Sequence, residues 1–316
     1  MVQSGFDLSL QNLADEGLPL NLSTLYSLSD LDRGQMAAVR GVWHGLSSER
    51  KQSVLSGLVD LAESVVEVDF SAFFREQLDD EGAEVRRLAI EGLWEVEKPW
   101  LLSQLVRLLS DDPMSDVRAA AAASLGRFVL LGELGQLDAA LSTRAEQALL
   151  EAYFAADELL VVRRRVLESL AYSSESGVGD LIETAYMEGE DDLRLSALFA
   201  MGRSADRRWR LMLVDELENP APAMRYEAAV ACGELELRDA VEPLSRLVYD
   251  FDLEVGSAAV EALGKIGGPE AQRVLRSCCS SEDEALVEAA EEALELASWA
   301  DSEDLEILDD WSLTEP

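Results

Sequence analysis

The sequence is poor in the residues that build most catalytic sites. Its 316 residues include one histidine, His44, and three cysteines. One histidine cannot build a His-rich metal site, and serines without a nearby histidine base cannot form a Ser-His-Asp triad. Three cysteines make no disulfide framework, so a reducing cytoplasm is the simplest location. We therefore expect no enzyme activity, no catalytic residues, no metal and no cofactor.

Positive charge and long apolar runs are also scarce. There are 63 acidic residues against 26 basic ones, for a net charge of −37. Such a chain is repelled by nucleic-acid phosphates and by anionic membranes, so we expect neither as a partner. No apolar run approaches membrane-spanning length, and residues 1–28 lack the pattern of a signal peptide. The acidic surplus favours solubility or adaptation to salt over a dedicated basic ligand.

What the sequence does contain is a segment that recurs about every 31 residues. In each copy an acidic or amide residue is followed six positions later by Arg, then by a small residue and an apolar anchor. The clearest copies are Asp80–Arg86–Ala89–Leu93, Asp112–Arg118–Ala121–Leu125, Asp157–Arg163–Val166–Leu170, Glu188–Arg194–Ala197–Met201 and Asn219–Arg225–Ala228–Cys232. Two later copies lose the Arg, at Gly256 and Val287. A period of this length predicts an all-α fold, a right-handed α-solenoid of stacked helical hairpins.

The repeat divides the chain into four parts. We expect a flexible N-terminal tail over 1–28, a capping helical hairpin over 29–66, seven repeats over 67–298 and an acidic tail over 299–316. An insertion near 130–142 lengthens one repeat and is either a tolerated surface loop or a binding element. The acidic tail carries bulky apolar residues, so it either docks on a partner or shields the last repeat. The second helix of each repeat is predicted at 84–95, 116–130, 160–172, 192–203, 222–234, 253–265 and 284–298.

Four glycines occupy one slot of the repeat, directly after the apolar anchor. They are Gly126, Gly202, Gly233 and Gly264. A glycine at this slot fits either the end of a helix or close contact with the neighbouring repeat. The sequence leaves these two interpretations open.

The strings "DDPMSDVRAAAAASLGRF", "DDLRLSALFAMGRS" and "PAPAMRYEAAVACGEL" resemble HEAT repeats, specifically the short variety of the phycobilisome-lyase-like HEAT proteins. The resemblance covers about residues 69–298. It implies that turn acids and second-helix arginines form a structural ladder between repeats rather than a ligand site. The implied ladder residues are Asp80, Arg86, Asp112, Arg118, Asp157, Arg163, Glu188, Arg194 and Arg225.

The resemblance also suggests where a partner would bind. In HEAT arrays the second helices line the concave face, on which the residues one and five places after each ladder Arg lie. In the middle repeats these positions are apolar and flanked by two arginines, which gives the candidate partner-binding residues Arg164, Arg165, Leu195, Phe199, Tyr226 and Val230. The same aromatic residues would equally suit packing between neighbouring helices.

Three functional hypotheses follow. The leading one is a non-enzymatic scaffold or adaptor that binds a protein or peptide on the concave face. The alternative, from the repeat subtype alone, is a bilin lyase or isomerase-like enzyme subunit in which Arg164 and Arg165 pair with bilin propionates. The third is a basic partner held by the acidic surface. Some short HEAT proteins are di-iron hydroxylases with repeated His-Glu pairs, and this chain has no such pair. The oligomeric state is left open.

Overall fold

The computed structural model describes residues 5–297, which fold as helices joined by turns. The chain divides into two compact units, one up to Ser169 and one from Leu170. The helices of the first unit are α1 Gly5–Ala14, α2 Leu22–Tyr26, α3 Arg33–Trp43, α4 Ser48–Ser64, α5 Ser71–Gln77, α6 Ala83–Glu91, α7 Pro99–Asp111, α8 Ser115–Glu133, α9 Ala139–Phe154 and α10 Leu160–Leu170. The second unit contains α11 Ser176–Glu188, α12 Asp191–Arg203, α13 Arg210–Glu216, α14 Pro222–Glu234, α15 Val241–Leu247, α16 Leu253–Ile266, α17 Gly268–Cys278 and α18, described over 284–297.

Each unit is a stack of helical hairpins, which confirms the expected all-α solenoid repeat. The hairpins pair α5 with α6, α7 with α8 and so on, and the second helices pack side by side. In the first unit α4 contacts α6 and α6 contacts α8; in the second, α12 contacts α14 and α14 contacts α16. Alanines at the contacts and leucines between the layers are buried throughout. Because each hairpin buries its apolar face only against its neighbours, stacking supplies the core.

The four repeat glycines lie where neighbouring second helices come closest. A Cβ atom on Gly126 would lie 2.9 Å from the Cβ of Ser169, and one on Gly202 would lie 2.8 Å from the Cα of Ala231. Gly233 and Gly264 meet the next helix at similar distances. Of the two interpretations, close contact with the neighbouring repeat is therefore the one that these distances support.

The prediction of a flexible tail over 1–28 is wrong for residues 5–28. These residues form α1 and α2, and the side chains of Leu13 and Leu28 are buried. The guanidinium of Arg50 on α4 donates to the carbonyl of Leu18 at 2.9 Å and to that of Leu13 at 3.3 Å. Burying this arginine is tolerated because it satisfies carbonyls at the end of α1 and in the turn that follows. α3 and α4 form the capping hairpin, and residues 5–28 are a folded extension of it.

The insertion near 130–142 is mostly helical. α8 continues to Glu133, Gly135 adopts a φ of +67°, and α9 begins at Ala139 with its first turn capped by the carboxylate of Asp138. The irregular part is therefore confined to 134–138. The predicted acidic tail over 299–316 lies outside the described residues. Among residues 5–297, helices long and apolar enough to span a membrane are absent.

Candidate functional site

The ladder of ion pairs begins in the first unit, at the turns that precede the second helices. Arg86 donates from Nε and Nη2 to the Asp112 carboxylate at 2.7 and 2.8 Å, and from Nη1 to the carbonyl of Asp80 at 2.8 Å. Asp80 is itself bound by Lys51 Nζ at 2.7 Å and by the indole N–H of Trp43 at 3.1 Å. Burial raises the pKa of Asp80, but these hydrogen bonds outweigh it and hold that pKa below its usual value.

The third predicted carboxylate of the ladder, Asp157, is not the one that pairs. Asp157 is exposed, and Arg118 instead binds Glu158 at 2.7 and 2.9 Å. The turn before α10 changes the register: Arg163 donates to the carbonyl of Ala155, eight residues back, whereas Arg86 and Arg118 reach six residues back. Because this turn is longer, the glutamate side chain of Glu158, one residue after Asp157, reaches Arg118. The prediction of Asp157 is therefore wrong by one residue.

Arg163 is the ladder arginine with an incomplete set of hydrogen bonds. Its Nη2 donates to Ala155 O at 2.8 Å, while its buried Nε finds no hydrogen-bond partner within residues 5–297. It is the last ladder arginine of the first unit.

In the second unit a ladder carboxylate again differs from the predicted one. Arg194 binds Glu216 at 3.1 Å, and Glu188 is exposed. The repeat that follows Arg194 has Asn219 where an acid normally stands, so the carboxylate comes from the last turn of α13. Asn219 then donates to Glu216 at 2.5 Å.

Glu216 also accepts a hydrogen bond from the hydroxyl of Tyr186 at 2.6 Å. Burial first, and then the adjacent Glu216 carboxylate, raise the pKa of Tyr186 to about 12. The guanidinium of Arg194 lies over the Tyr186 ring, 5.4 Å from its centroid. This rung is therefore a cluster of four side chains centred on Glu216 rather than a simple ion pair.

The last rung repeats the hydrogen-bond pattern of the Arg86 rung. Arg225 binds the Asp250 carboxylate with Nε and Nη2, both at 2.8 Å, and donates from Nη1 to the carbonyls of Asn219 and Pro220 at 2.8 and 3.1 Å. The Phe251 ring lies 5.1 Å from the guanidinium. Both charged side chains are only 7 % exposed. An arginine whose donors are used in this way has a structural role and is not available to a ligand.

The predicted partner-binding residues of the second unit form two parallel rows. Leu195 and Phe199 lie four residues apart on α12, and Tyr226 and Val230 repeat this spacing on α14, which packs against α12. Residues four apart share a helix face. Tyr226 is exposed (38 %), and the other three are half-buried. The rows therefore leave a partly accessible apolar surface, which we call the second-helix face.

Charged residues lie one helical turn beyond the two apolar rows on α12 and α14. Arg203, four residues after Phe199, lies 5.5 Å from the Phe199 ring centroid and pairs with Glu234 at 3.2 Å. Glu234 follows Val230 by four residues and also pairs with Lys265 of α16 at 2.9 Å. These contacts across three helices place both rows on one face. This charged row was not among the predicted sites, although its members share the position nine residues after each ladder site.

The two predicted arginines belong to α10 in the first unit. Arg165 is exposed and pairs with Glu168 at 2.5 Å, and Arg164 is half-buried. The second-helix face consists of residues of the second unit alone.

Other strongly exposed apolar side chains of the second unit lie in the turn between α15 and α16 and at the first residue of α16. Tyr249, Phe251 and Leu253 are 65, 83 and 79 % exposed. Sequence reasoning missed them because a turn residue carries no helical period that marks it as surface. They provide an internal comparison for the second-helix face.

The remaining candidates for chemistry are isolated. His44 is exposed at the end of α3, and Cys232 is a buried free thiol whose pKa burial raises to about 12. Among the described residues there is no group of three or more His, Cys, Asp or Glu side chains placed to hold a metal ion.

Comparison with known proteins places this geometry in a family. The family model described as HEAT repeats matches residues 71–171 and 210–295. No curated protein matches the chain. Among similar solved structures, Kap95p with RanGDP is 13 % identical with a TM-score of 0.51, and the match covers 92 % of this chain and 45 % of Kap95p. Importin beta is 14 % identical with a TM-score of 0.50, and the match covers 92 % of this chain and 44 % of importin beta. Human deoxyhypusine hydroxylase is 22 % identical with a TM-score of 0.37, and the match covers 93 % of this chain and 96 % of the hydroxylase.

The chain thus spans less than half of Kap95p and importin beta, and at these identities the similarity concerns the fold alone. The narrower resemblance to phycobilisome-lyase-like proteins stays a prediction. The family model, in contrast, covers more than half of the sequence and coincides with the stacked hairpins. The chain belongs to the HEAT-repeat family.

Proposed function

We propose that this chain is a non-enzymatic protein-interaction scaffold, and that the second-helix face of its second unit binds a protein or peptide partner. The observation that carries the proposal is the pair of apolar rows on α12 and α14. Tyr226 is 38 % exposed in an otherwise regular packing surface, and a large amphipathic ring at such a position is typical of binding hot spots.

The charges beside the rows favour a partner of mixed character. Arg203 and Lys265 both pair with Glu234 along the edge of the face, and Lys265 also pairs with Glu261 at 2.7 Å. Their mutual pairing leaves an edge with both signs of charge. A partner that places apolar side chains on Phe199 and Tyr226, and polar groups on this edge, would match the pattern of an apolar centre with a polar rim.

The family supports the same conclusion. HEAT and armadillo solenoids are commonly protein-interaction scaffolds, and the Kap95p structure that shares this fold contains a protein partner, RanGDP. The ladder arginines are used in structural contacts and the chain has one histidine, so the residues that remain available suit binding better than catalysis. The free cysteines fit a reducing cytoplasm. The bilin-lyase alternative rests on the repeat subtype and stays a prediction.

The test is affinity capture from a lysate of the source organism, with washes at low and high salt. The wild-type chain is compared with Phe199→Ala/Tyr226→Ala and with the control Tyr249→Ala/Phe251→Ala, which removes more exposed apolar surface. We expect a stoichiometric protein that survives high salt and is lost only from the first variant. Capture that is unchanged in the first variant, or that is lost at high salt, would contradict the proposal.

A further inference from the structure

A groove in the first unit is lined by apolar side chains. It has a volume of about 390 Å³ and is formed by the end of α4, the segment 65–70, the start of α5 and the end of α6. Phe70 and Phe74 are buried at its base. A Cβ on Gly92 would lie 2.2 Å from the Phe74 ring, so the glycine allows that ring to lie against the end of α6. The volume is within the range of about 300–1,000 Å³ of ligand pockets.

The lip of the groove is apolar and open to solvent. Val66 is 97 % exposed and Trp94 is 55 % exposed, and both line the groove together with Val65, Val68 and Val96. Isolated exposed apolar residues need no explanation, but a valine and a tryptophan at the mouth of an apolar groove form a continuous patch. Such a patch can hold an inserted apolar side chain.

The charges around the groove are all of one sign. Four carboxylates line it, those of Glu63, Asp69, Glu91 and Glu95, and none of its lining residues is Lys or Arg. Asp69 accepts from Ser71, and Glu91 pairs with Arg87. Glu63 and Glu95 are exposed and take part in no ion pair within the described part of the chain. Two carboxylates therefore face solvent without a cation beside an apolar groove.

A second neighbouring arginine, Arg127, is also engaged, like Arg87. Arg127 pairs with Glu97 at 2.5 Å, donates to the carbonyl of Trp94 at 2.9 Å and lies 5.7 Å from the Trp94 ring centroid. It holds Trp94 in place at the edge of the groove. The uncompensated charge at the mouth is thus negative.

We propose that this groove binds a basic peptide segment of a partner protein, in which a large apolar side chain enters the groove and flanking Lys or Arg residues meet Glu63 and Glu95. Charge complementarity selects this occupant. A second copy of the chain carries a net charge of −37, and residues 299–316 of the chain itself are acidic, so both would be repelled by the rim. The site shares no residue with the second-helix face.

The experiment uses the full chain and fluorescein-labelled seven-residue peptides read by fluorescence anisotropy. Each peptide has a central Leu, Ile, Met, Phe or Trp between flanking Lys and Arg residues. One set of matched control peptides has Ser at the centre, and a second set has Glu residues as flanks. Val66→Ser/Trp94→Ser removes the apolar lip, and Glu63→Gln/Glu95→Gln removes the free carboxylates. Leu211→Ser, at a residue that is 66 % exposed in the second unit, is the control. Because these positions are exposed, unchanged melting curves should show that each variant folds.

We expect at least one apolar-centred basic peptide to bind tenfold or more tightly than its Ser-centred match. Val66→Ser/Trp94→Ser should abolish that difference. Glu63→Gln/Glu95→Gln should weaken binding at low salt, and Leu211→Ser should leave it unchanged. Equal binding of Ser-centred peptides, equal binding of Glu-flanked peptides or insensitivity to the lip variant would overturn the proposal. The Phe199→Ala/Tyr226→Ala variant should keep peptide binding, so failure here and failure of the proposed scaffold face are distinguishable.

Discussion

The rung formed by Arg225 and Asp250 gives the sharpest test of how the array is held together. Replacing Arg225 with Met keeps a long apolar stem but removes two charge-assisted hydrogen bonds to Asp250 and two to backbone carbonyls. Both side chains are 7 % exposed, so the Asp250 carboxylate would remain desolvated without its cation. Breaking a buried pair in this way costs about 3–5 kcal/mol. We place this rung near the lower figure, since Asp250 keeps its hydrogen bond from the Asp252 N–H.

The assay is urea unfolding followed by circular dichroism, with Arg246→Met as the matched control. Arg246 pairs with Glu218 and Glu242, but all three side chains are more than half exposed, and exposed pairs contribute about 0–1 kcal/mol. The double variant Arg225→Met/Asp250→Leu should recover most of the lost stability, because an apolar pair of similar size leaves no buried charge. An Arg225→Met cost no larger than that of Arg246→Met would refute the structural reading of the ladder.

Three further predictions concern packing and pH. Gly233→Ala should cost about 1–3 kcal/mol, since its Cβ would lie 2.9 Å from Ala262 Cα, whereas Gly41→Ala, with open space around it, should be neutral or stabilising in the same urea assay. Because the pKa of Tyr186 is raised, the stability that this residue contributes to the fold is present below about pH 10 and is lost as the pH rises from about 10 to 12. Alkaline unfolding of Tyr186→Phe should lack this loss of stability, and a profile identical to that of the wild type would contradict the prediction. Burial raises the pKa of Asp112, but the hydrogen bonds that its carboxylate accepts outweigh burial, so that the pKa is lowered overall. The lowered pKa stabilises the fold above about pH 4, and this contribution is lost on acidification. Asp112→Asn should flatten the acid limb of the stability profile, and an unchanged limb would contradict the prediction.

The repeat made most of the fold predictable. The second helices expected at 192–203, 222–234 and 253–265 are observed at Asp191–Arg203, Pro222–Glu234 and Leu253–Ile266. They were predictable because a small residue and an apolar anchor recur at helical spacing, preceded by Arg in the first two, and the same spacing fixes the face that packs on the neighbour.

The errors arose where a long-range contact replaces the local pattern. The predicted flexible tail is folded over residues 5–28, where Arg50, far along the chain, binds the carbonyls of Leu13 at the end of α1 and of Leu18 in the turn that follows. Arg118 pairs with Glu158 instead of Asp157 because the turn changes length, and Arg194 pairs with Glu216 because the next repeat has Asn219 where an acid is expected. A repeat pattern cannot encode either substitution.

The candidate sites were predictable to different degrees. The second-helix face follows from the repeat, since its four apolar residues occupy equivalent positions. The charged row of Arg203, Glu234 and Lys265 follows the same period but changes sign from repeat to repeat, so no single residue type marks it. The acidic groove has no period at all, because it is built from helix ends and one irregular segment.

The most direct test of the central claim is site-specific photocrosslinking in the source organism. A photoreactive phenylalanine analogue replaces Tyr226 on the second-helix face in one variant and Tyr249, which is more exposed, in another. If the face binds a partner, irradiation should yield a discrete covalent adduct from position 226 and none of the same mass from position 249. The same adduct from both positions, or an adduct from position 249 alone, would contradict the account.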